Sequence, residues 1–379
     1  MGNGITLSAG VRQNLLSLQD IAQLTSTTQN RLASGKKVNS ALDNAVNYFT
    51  AAGLDSRATD MSALLDAMSN AIQTVAAANN GIDSITKTVQ SMQATLMQAR
   101  QDASWQSTSY TFSVAATGQT IGFSGGSTGS TTAITVSLDT AGAVDTVDQA
   151  VSAINANTSL QGHVKAWNDA GELRIQNLST TALTVTGATS SAVDGSTNTD
   201  SIGGNTVRLN LVTQYNLLRD QLDKFAADAS FNGVNLLQGD VLKVIFNEMA
   251  TSTLDVQALD VNGNPFVVNS TNLGIGNLQS SSLDSNTNID SLVSNLTVSL
   301  TKVRSLASNF GSNLSVVQNR QDFTKKMITT LKTGSDSLVI ADTNEEGANM
   351  LALQTRQQLS ITALSLANQS NQSVLRLFG

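Results

Sequence analysis

The sequence predicts a mainly α-helical protein with a β-rich insertion, its long helices from both chain ends packed as a bundle. Three observations predict it. Apolar residues repeat every seven positions near both ends, the middle is rich in Thr, Ser and Gly, and the outermost segments carry almost no charge.

Residues 1–40 begin with a helix. Val11, Leu15, Leu18 and Ala22 recur at helical spacing, and the seam continues through Thr25 and Gln29 to Leu32. The stretch from Ser34 to Ser40, Ser-Gly-Lys-Lys-Val-Asn-Ser, reads as a turn. Residues 41–104 carry the clearest pattern. Leu54, Met61, Met68, Val75, Ile82, Val89, Leu96 and Ala103 recur every seventh residue, beside a second row of Ala58, Leu65, Ile72, Ala78, Ile85, Met92 and Ala99. Heptads sustained this long predict a helix packed lengthwise on other helices. Some fifty residues at ~1.5 Å each make a rod of roughly 75 Å.

Residues 105–204 form an insertion of different texture. Tyr110 to Val114 and Ala133 to Val136 alternate as strands do, and Val144 to Asn155 reads as a helix with Val147, Val151 and Ile154 on one face. The acids Asp139, Asp145, Asp148, Asp169, Glu172, Asp194 and Asp200 outnumber Lys165 and Arg174, so this block is expected to face water.

Helical spacing returns over 205–344, first at Leu211, Tyr215, Leu218, Leu222, Phe225 and Ala229. Phe231-Asn232-Gly233 predicts an Asn-Gly turn, and 241–268 a β-ribbon turning at Val261-Asn262-Gly263-Asn264-Pro265. Ile289, Leu296, Val303, Phe310 and Val317 then repeat every seven, with Leu292, Leu300, Leu306 and Leu314 between them. Residues 345–379 hold a last helix, beginning near Asn344. Neither end can hide its apolar row alone, so the N-terminal helices are expected to pair with the C-terminal ones. The expected bundle core is Leu54, Met61, Met68, Val75, Ile82, Val89, Leu96, Leu211, Leu218, Phe225, Val303, Phe310 and Val317.

Composition narrows the function. One histidine, one proline and no cysteine leave few groups for chemistry near neutral pH. Lone His163 cannot build a histidine metal cluster, and no thiolate is available as nucleophile or ligand. No His-Glu-x-x-His, G-x-S-x-G or P-loop pattern occurs. The expectation is no catalytic, cofactor or metal site, and not an enzyme. A net charge of -7 argues against nucleic acid. The opening residues lack the basic and apolar regions of a Sec signal peptide, and no run is long enough for stable membrane insertion.

The ends point to assembly. Gln357 through Leu375 contains no charged residue, and the first thirty residues carry only Arg12 and Asp20. A helix exposed in a monomer usually keeps a charged outer face. Neutral polar groups with apolar residues on several faces suit a segment that is soluble alone and buried after assembly. The expected assembly residues are Val11, Leu15, Leu18, Ala22, Leu32, Leu353, Leu359, Leu364, Leu366, Val374, Leu377 and Phe378.

These segments resemble bacterial flagellins. Leu15-Leu16-Ser17-Leu18 and Arg31-Leu32-Ala33-Ser34-Gly35-Lys36-Lys37-Val38-Asn39-Ser40 resemble the family's N-terminal signature, and Asp43-Asn44-Ala45 its D-D-A-A-like run. Phe231-Asn232-Gly233-Val234 is similar to its F-N-G turn, and Ala367-Asn368-Gln369 with Val374 to Phe378 to its terminus. Ala153-Ile154-Asn155 and Gly171 to Ile175 are similar to the motif of flagellin and hook-protein insertions. The resemblance implies a self-assembling extracellular filament for swimming motility. It also implies secretion by the flagellar type III export apparatus with a chaperone, and contact with cap and hook-associated proteins. A hook–filament junction protein shares the terminal design, and an adhesin-like role for the insertion is the binding alternative. Flagellins detected by a host Toll-like receptor carry Arg and Glu on the outer face of the long helix. Here Val89 to Asp102 has one Arg and no Glu, so the resemblance implies weak detection.

Overall fold

The computed structural model describes residues 9–112, 118–128, 132–138 and 146–378, excluding the side chains of Ser127, Asn371 and 374–378. Ser113, Val114, Asp139, Val144 and Asp145, named above, lie outside the described residues. The helices are α1 (Ala9–Ser34), α2 (Ala41–Gln101), α3 (Val147–Ala156), α4 (Thr206–Asp228), α5 (Ser270–Leu273), α6 (Asn286–Val339) and α7 (Thr343–Phe378). The strands are β1 (Ser107–Phe112), β2 (Thr120–Gly125), β3 (Ile134–Ser137), β4 (Val164–Asp169), β5 (Glu172–Asn177), β6 (Leu183–Thr186), β7 (Ala192–Val193), β8 (Thr199–Ile202), β9 (Leu242–Ile245) and β10 (Thr253–Val256). The chain divides into two compact units. One joins residues up to 69, 245–253 and 318 onward; the other holds 70–244 and 254–317.

In the first unit, α1 packs along α7, and the near end of α2 packs on the far end of α6. Ala58 and Met61 bury against Ile328 and Leu331, with Leu54, Leu65 and Met327 closing the cluster. The Gln321 amide donates to Ser69 Oγ at 2.9 Å, so the two helices run antiparallel there. Helix α6 continues through Gly334 to Val339 before the last helix begins.

In the second unit the heptad row is buried as its period requires. Val75, Ile82, Val89 and Leu96 are inaccessible, as are Ala78, Ile85, Met92 and Ala99 of the companion row. The helix stops at Gln101 and Ala103 is exposed, so the row ends one heptad early. Opposite, Ile289, Leu296, Val303, Phe310 and Val317 are buried on α6, and Leu211, Tyr215 and Leu222 on α4, where Leu218 and Phe225 are half-buried. Arg100 bonds Asp290 at 2.5 Å and Gln93 bonds Thr297, again antiparallel. Gly81 marks a close crossing, since a Cβ there would stand 2.5 Å from that of Ala229 and 2.9 Å from Leu237 Cδ1.

Among the described residues the insertion holds two four-stranded sheets, ordered β4-β5-β1-β7 and β3-β2-β6-β8, with α3 beside them. The described strand pairs run antiparallel except β1 with β7, which is parallel. Tyr110, Ile121, Phe123, Ile154, Leu160, Leu173, Ile175 and Val185 form one core. Thr146 caps α3 through a reciprocal bond with Gln149. The Asn155 amide both donates to and accepts from the Ala166 backbone, which docks α3 on β4. His163 is half-buried.

The ribbon expected over 241–268 is two successive antiparallel turns. β9 and β10 turn at Phe246 to Ser252, where the Asn247 side chain accepts from Ser252 N–H and donates to Thr251. Val261 to Pro265 turns where expected, between antiparallel-bridged Leu259 and Pro265, and the Asp260 carboxylate collects the N–H groups of Asn262 and Asn264. The Asn232-Gly233 turn forms as expected, both residues at positive φ between bridged Phe231 and Val234.

Two helical glycines give a paired prediction. Alanine exceeds glycine by about 1 kcal/mol in a helix interior, and Gly311 has open space for a methyl group. At Gly81 overpacking costs typically 1–3 kcal/mol. Thermal unfolding of Gly311→Ala should therefore rise slightly while that of Gly81→Ala falls. Equal shifts would contradict the close α2 crossing.

Candidate assembly interface

Helix α1 presents two faces. Val11, Ile21 and Thr28 are buried and Asn14, Leu18 and Thr25 half-buried, at alternating spacings of three and four that define the seam on α7. The seam read from sequence shares Val11, Leu18 and Thr25 with it but departs at Leu15, Ala22 and Leu32, which are exposed. The cause is physical. Two heptad paths run side by side on this helix, and polar Asn14 and Thr28 disguise the one that faces inward.

The expected assembly residues therefore separate into groups. Val11 and Leu353 are buried inside the subunit, where they support the α1–α7 pair. Leu18 and Leu364 are half-buried. Leu15, Ala22, Leu32, Leu359 and Leu366 face solvent, Leu359 at 65% and Leu366 at 61% exposure. The side chains of Val374, Leu377 and Phe378 lie outside the described residues. Exposed Leu16, Leu24, Leu351 and Ile361 belong with the outward group and were missed. Their signal was present, because no single seam can hold both Leu15 and Leu16.

Such a surface is unusual for a helix meeting water. Fully burying a leucine is worth roughly 1.5–3 kcal/mol, and the exposed ones on these sparsely charged helices stand mainly among amide and hydroxyl neighbours. Among the described residues of Gln357 to Ser373, no charged side chain opposes burial by another surface.

The helix pair is anchored at its base by two turns. Gly35, at a φ of +69°, starts the first, and its carbonyl accepts the Ala341 N–H at 3.0 Å. The Lys37 N–H donates to the Val339 carbonyl at 2.7 Å, and Val38, Ala51 and Val339 close a small cluster below. Arg31, in the last turn of α1, bonds Glu346 in the first turn of α7 at 3.1 Å. Each charge sits at the helix end whose dipole favours it.

The turn into α2 is built by Asp43. Its carboxylate accepts the N–H groups of Ser40 and Asn39, both at 2.9 Å, and these bonds hold its pKa below the usual value. Asn44 is non-helical, and its side chain accepts from Asn47 N–H, so α2 restarts there. The run from Arg31 to Ala45 that carried the resemblance is thus the piece that pairs the N-terminal turn with the C-terminal one. Among the described residues no cluster of His, Asp or Glu could hold a metal ion, and no helix is long and apolar enough to cross a membrane.

Comparison with known proteins falls on the same parts. The bacterial flagellin N-terminal helical region matches residues 8–113, and the bacterial flagellin C-terminal helical region matches 276–378. Flagellin A of Rhizobium meliloti is 28% identical over 96% of both chains. Flagellin FljK of Caulobacter vibrioides is 32% identical over 46% of this chain and 61% of its own length. A flagellin of Brucella melitensis is 34% identical over 40% of this chain and 55% of its own. The chain thus aligns with less than two thirds of the Caulobacter and Brucella proteins and nearly all of the Rhizobium one. With both family regions in order and together spanning more than half of the residues, the chain belongs to the bacterial flagellin family.

Proposed function

We propose that this chain is the repeating subunit of a bacterial flagellar filament, working outside the cell in swimming motility. The observation that carries the reading is the outward leucines of α1 and α7, set among mostly neutral amides and hydroxyls and, from Gln357 to Ser373, without any charge. That chemistry suits contact with further copies of the same chain. The surface would be covered once subunits stack, and α1 and α7 would line the filament's core. Both family regions are those of flagellins, which favours a filament subunit over a hook–filament junction protein. On this reading the type III export apparatus and a chaperone deliver the chain, and cap and hook-associated proteins meet it at the filament ends. The role is structural, with no cofactor and no reaction. Residues 1–40 and 345–379 serve the core, 41–104 and 205–344 the bundle, and 105–204 the outer surface.

Truncation tests this directly. Removing residues 357–379 should leave a soluble, helical monomer that no longer polymerises on seeds, as judged by electron microscopy. Filaments of normal length from the truncated chain would defeat the proposal.

Weak detection by the flagellin-sensing Toll-like receptor is part of the same reading. Arg100, the lone basic residue between Val89 and Asp102, is held by Asp290 through two bonds. A receptor surface reading Arg and Glu would meet an arginine already paired and no glutamate. Charge-assisted bonds are worth roughly 1.5–3 kcal/mol each, so half-maximal signalling in a reporter assay should need at least tenfold more monomer than an enteric control. Equal potency would reject this part.

A further inference from the structure

One buried cation in the second unit is not explained by helix packing. Arg208, near the start of α4, is 2% exposed. Its Nη1 donates to the Leu283 carbonyl at 2.7 Å, and its Nη2 to the Asp102 carbonyl at 2.8 Å and to Asn286 Oδ1 at 3.1 Å. The guanidinium lies over the Trp105 ring, 4.4 Å from its centroid, and Nε faces the Asp102 carboxylate at 3.8 Å. One side chain thereby joins the exit of α2, the start of α4 and the approach to α6.

A purely stabilising role is poorly served by this choice. Desolvating a guanidinium is expensive, and an apolar residue of similar size often does as well. What arginine supplies is a planar fork of donors with fixed directions. That property matters where chain segments must be held at set positions.

The segments held here are those that carry the insertion. The chain enters it through 102–106 and leaves through 203–205, and these crossings lie side by side. The Asn177 N–H donates to the Gln106 carbonyl, and the Asn205 N–H to that of Ser179. The Asn205 side chain also bonds Asp102 and accepts from Arg208 N–H. Two adjacent crossings would make a hinge. A third attachment, away from the covalent linkers, removes it. The loop between β5 and β6 docks on the approach to α6, where Thr180 N–H donates to Asp284 Oδ1 at 2.8 Å and Ser179 Oγ to Oδ2 at 3.3 Å. Thr180 Oγ1 also donates to the Ser280 carbonyl at 2.5 Å. Asn177 closes the loop by donating to the carbonyls of Thr181, Ile202 and Gly203. Gly204 admits the close approach, since a Cβ there would stand 2.3 Å from the Thr180 carbonyl oxygen.

We propose that the Arg208–Asp102–Asp284 cluster is a locked joint that fixes the insertion to the helical bundle at three points. The outer surface then moves with the helices instead of swinging on a tether. This joint belongs to a single subunit and does not depend on what that subunit assembles into.

Hydrogen exchange on the full-length monomer tests it, with Arg208→Met and Asp284→Asn compared with the parent. Amides at 102–106 and 177–181 should exchange at least tenfold faster in both variants, while those of Val75 to Leu96 keep their rates. Brief subtilisin treatment should then release an intact fragment of about residues 105–204. Unchanged exchange at the two segments in Asp284→Asn would overturn the joint, even if Arg208→Met failed to fold. Equal acceleration throughout the bundle in Asp284→Asn would also overturn it, marking the cluster as ordinary core.

Discussion

The structure depends on an apolar row that one helix cannot hide. Along α2, Met68, Val75, Ile82, Val89 and Leu96 stand at successive heptads, each worth roughly 1.5–3 kcal/mol when taken out of water. Left exposed, that row would forfeit on the order of 10 kcal/mol, as much as the whole stability of a typical domain. The covering residues come from α4 and α6, more than a hundred positions away in sequence. The chain must therefore close on itself, and its two ends must meet. The paired turns at Gly35 to Asn39 and Val339 to Ala341 are where that closure is fixed by backbone hydrogen bonds.

The rest follows from what is left after closure. Residues 105–204 are not needed to cover the row, so they are free to fold as their own two-sheet core around Tyr110, Phe123 and Ile175. Their attachment is specified by polar groups, because several crossing segments must be held at defined angles. At the opposite extreme, α1 and α7 share only one narrow seam. Polar Asn14 and Thr28 weaken it, and the remaining circumference carries few charges, none of them between Gln357 and Ser373. An incomplete seam in the monomer, with sparsely charged outer faces, suits helices whose burial is finished by neighbouring subunits.

Much of this was legible in the sequence, and the misses have physical causes. A seven-residue repeat is a direct image of helix geometry, so the buried faces of α2 and α6 could be read without structure. Alternation and a Thr-rich texture located the insertion. The seam of α1 was misplaced because hydrophobicity alone cannot choose between two adjacent heptad paths when the inner one includes Asn and Thr. The turn at Asn262-Gly263 carried a strong local signal and forms, while the one between β9 and β10 rests on the Asn247 side chain and has no such signal. Arg208 escaped notice altogether. Its partners are mostly backbone carbonyls distant in sequence, and nothing in the spacing of charged residues announces them.

The central claim is that the two ends of one chain cover each other. The absence of cysteine allows a clean test, since thiols introduced at Ser69 and Gln321 are unique. These side chains are in hydrogen-bond contact within one subunit. A short bis-maleimide added to dilute Ser69→Cys/Gln321→Cys monomer should give one intrachain cross-link in near-quantitative yield. Interchain products alone, or two singly capped thiols, would contradict closure of α2 on α6.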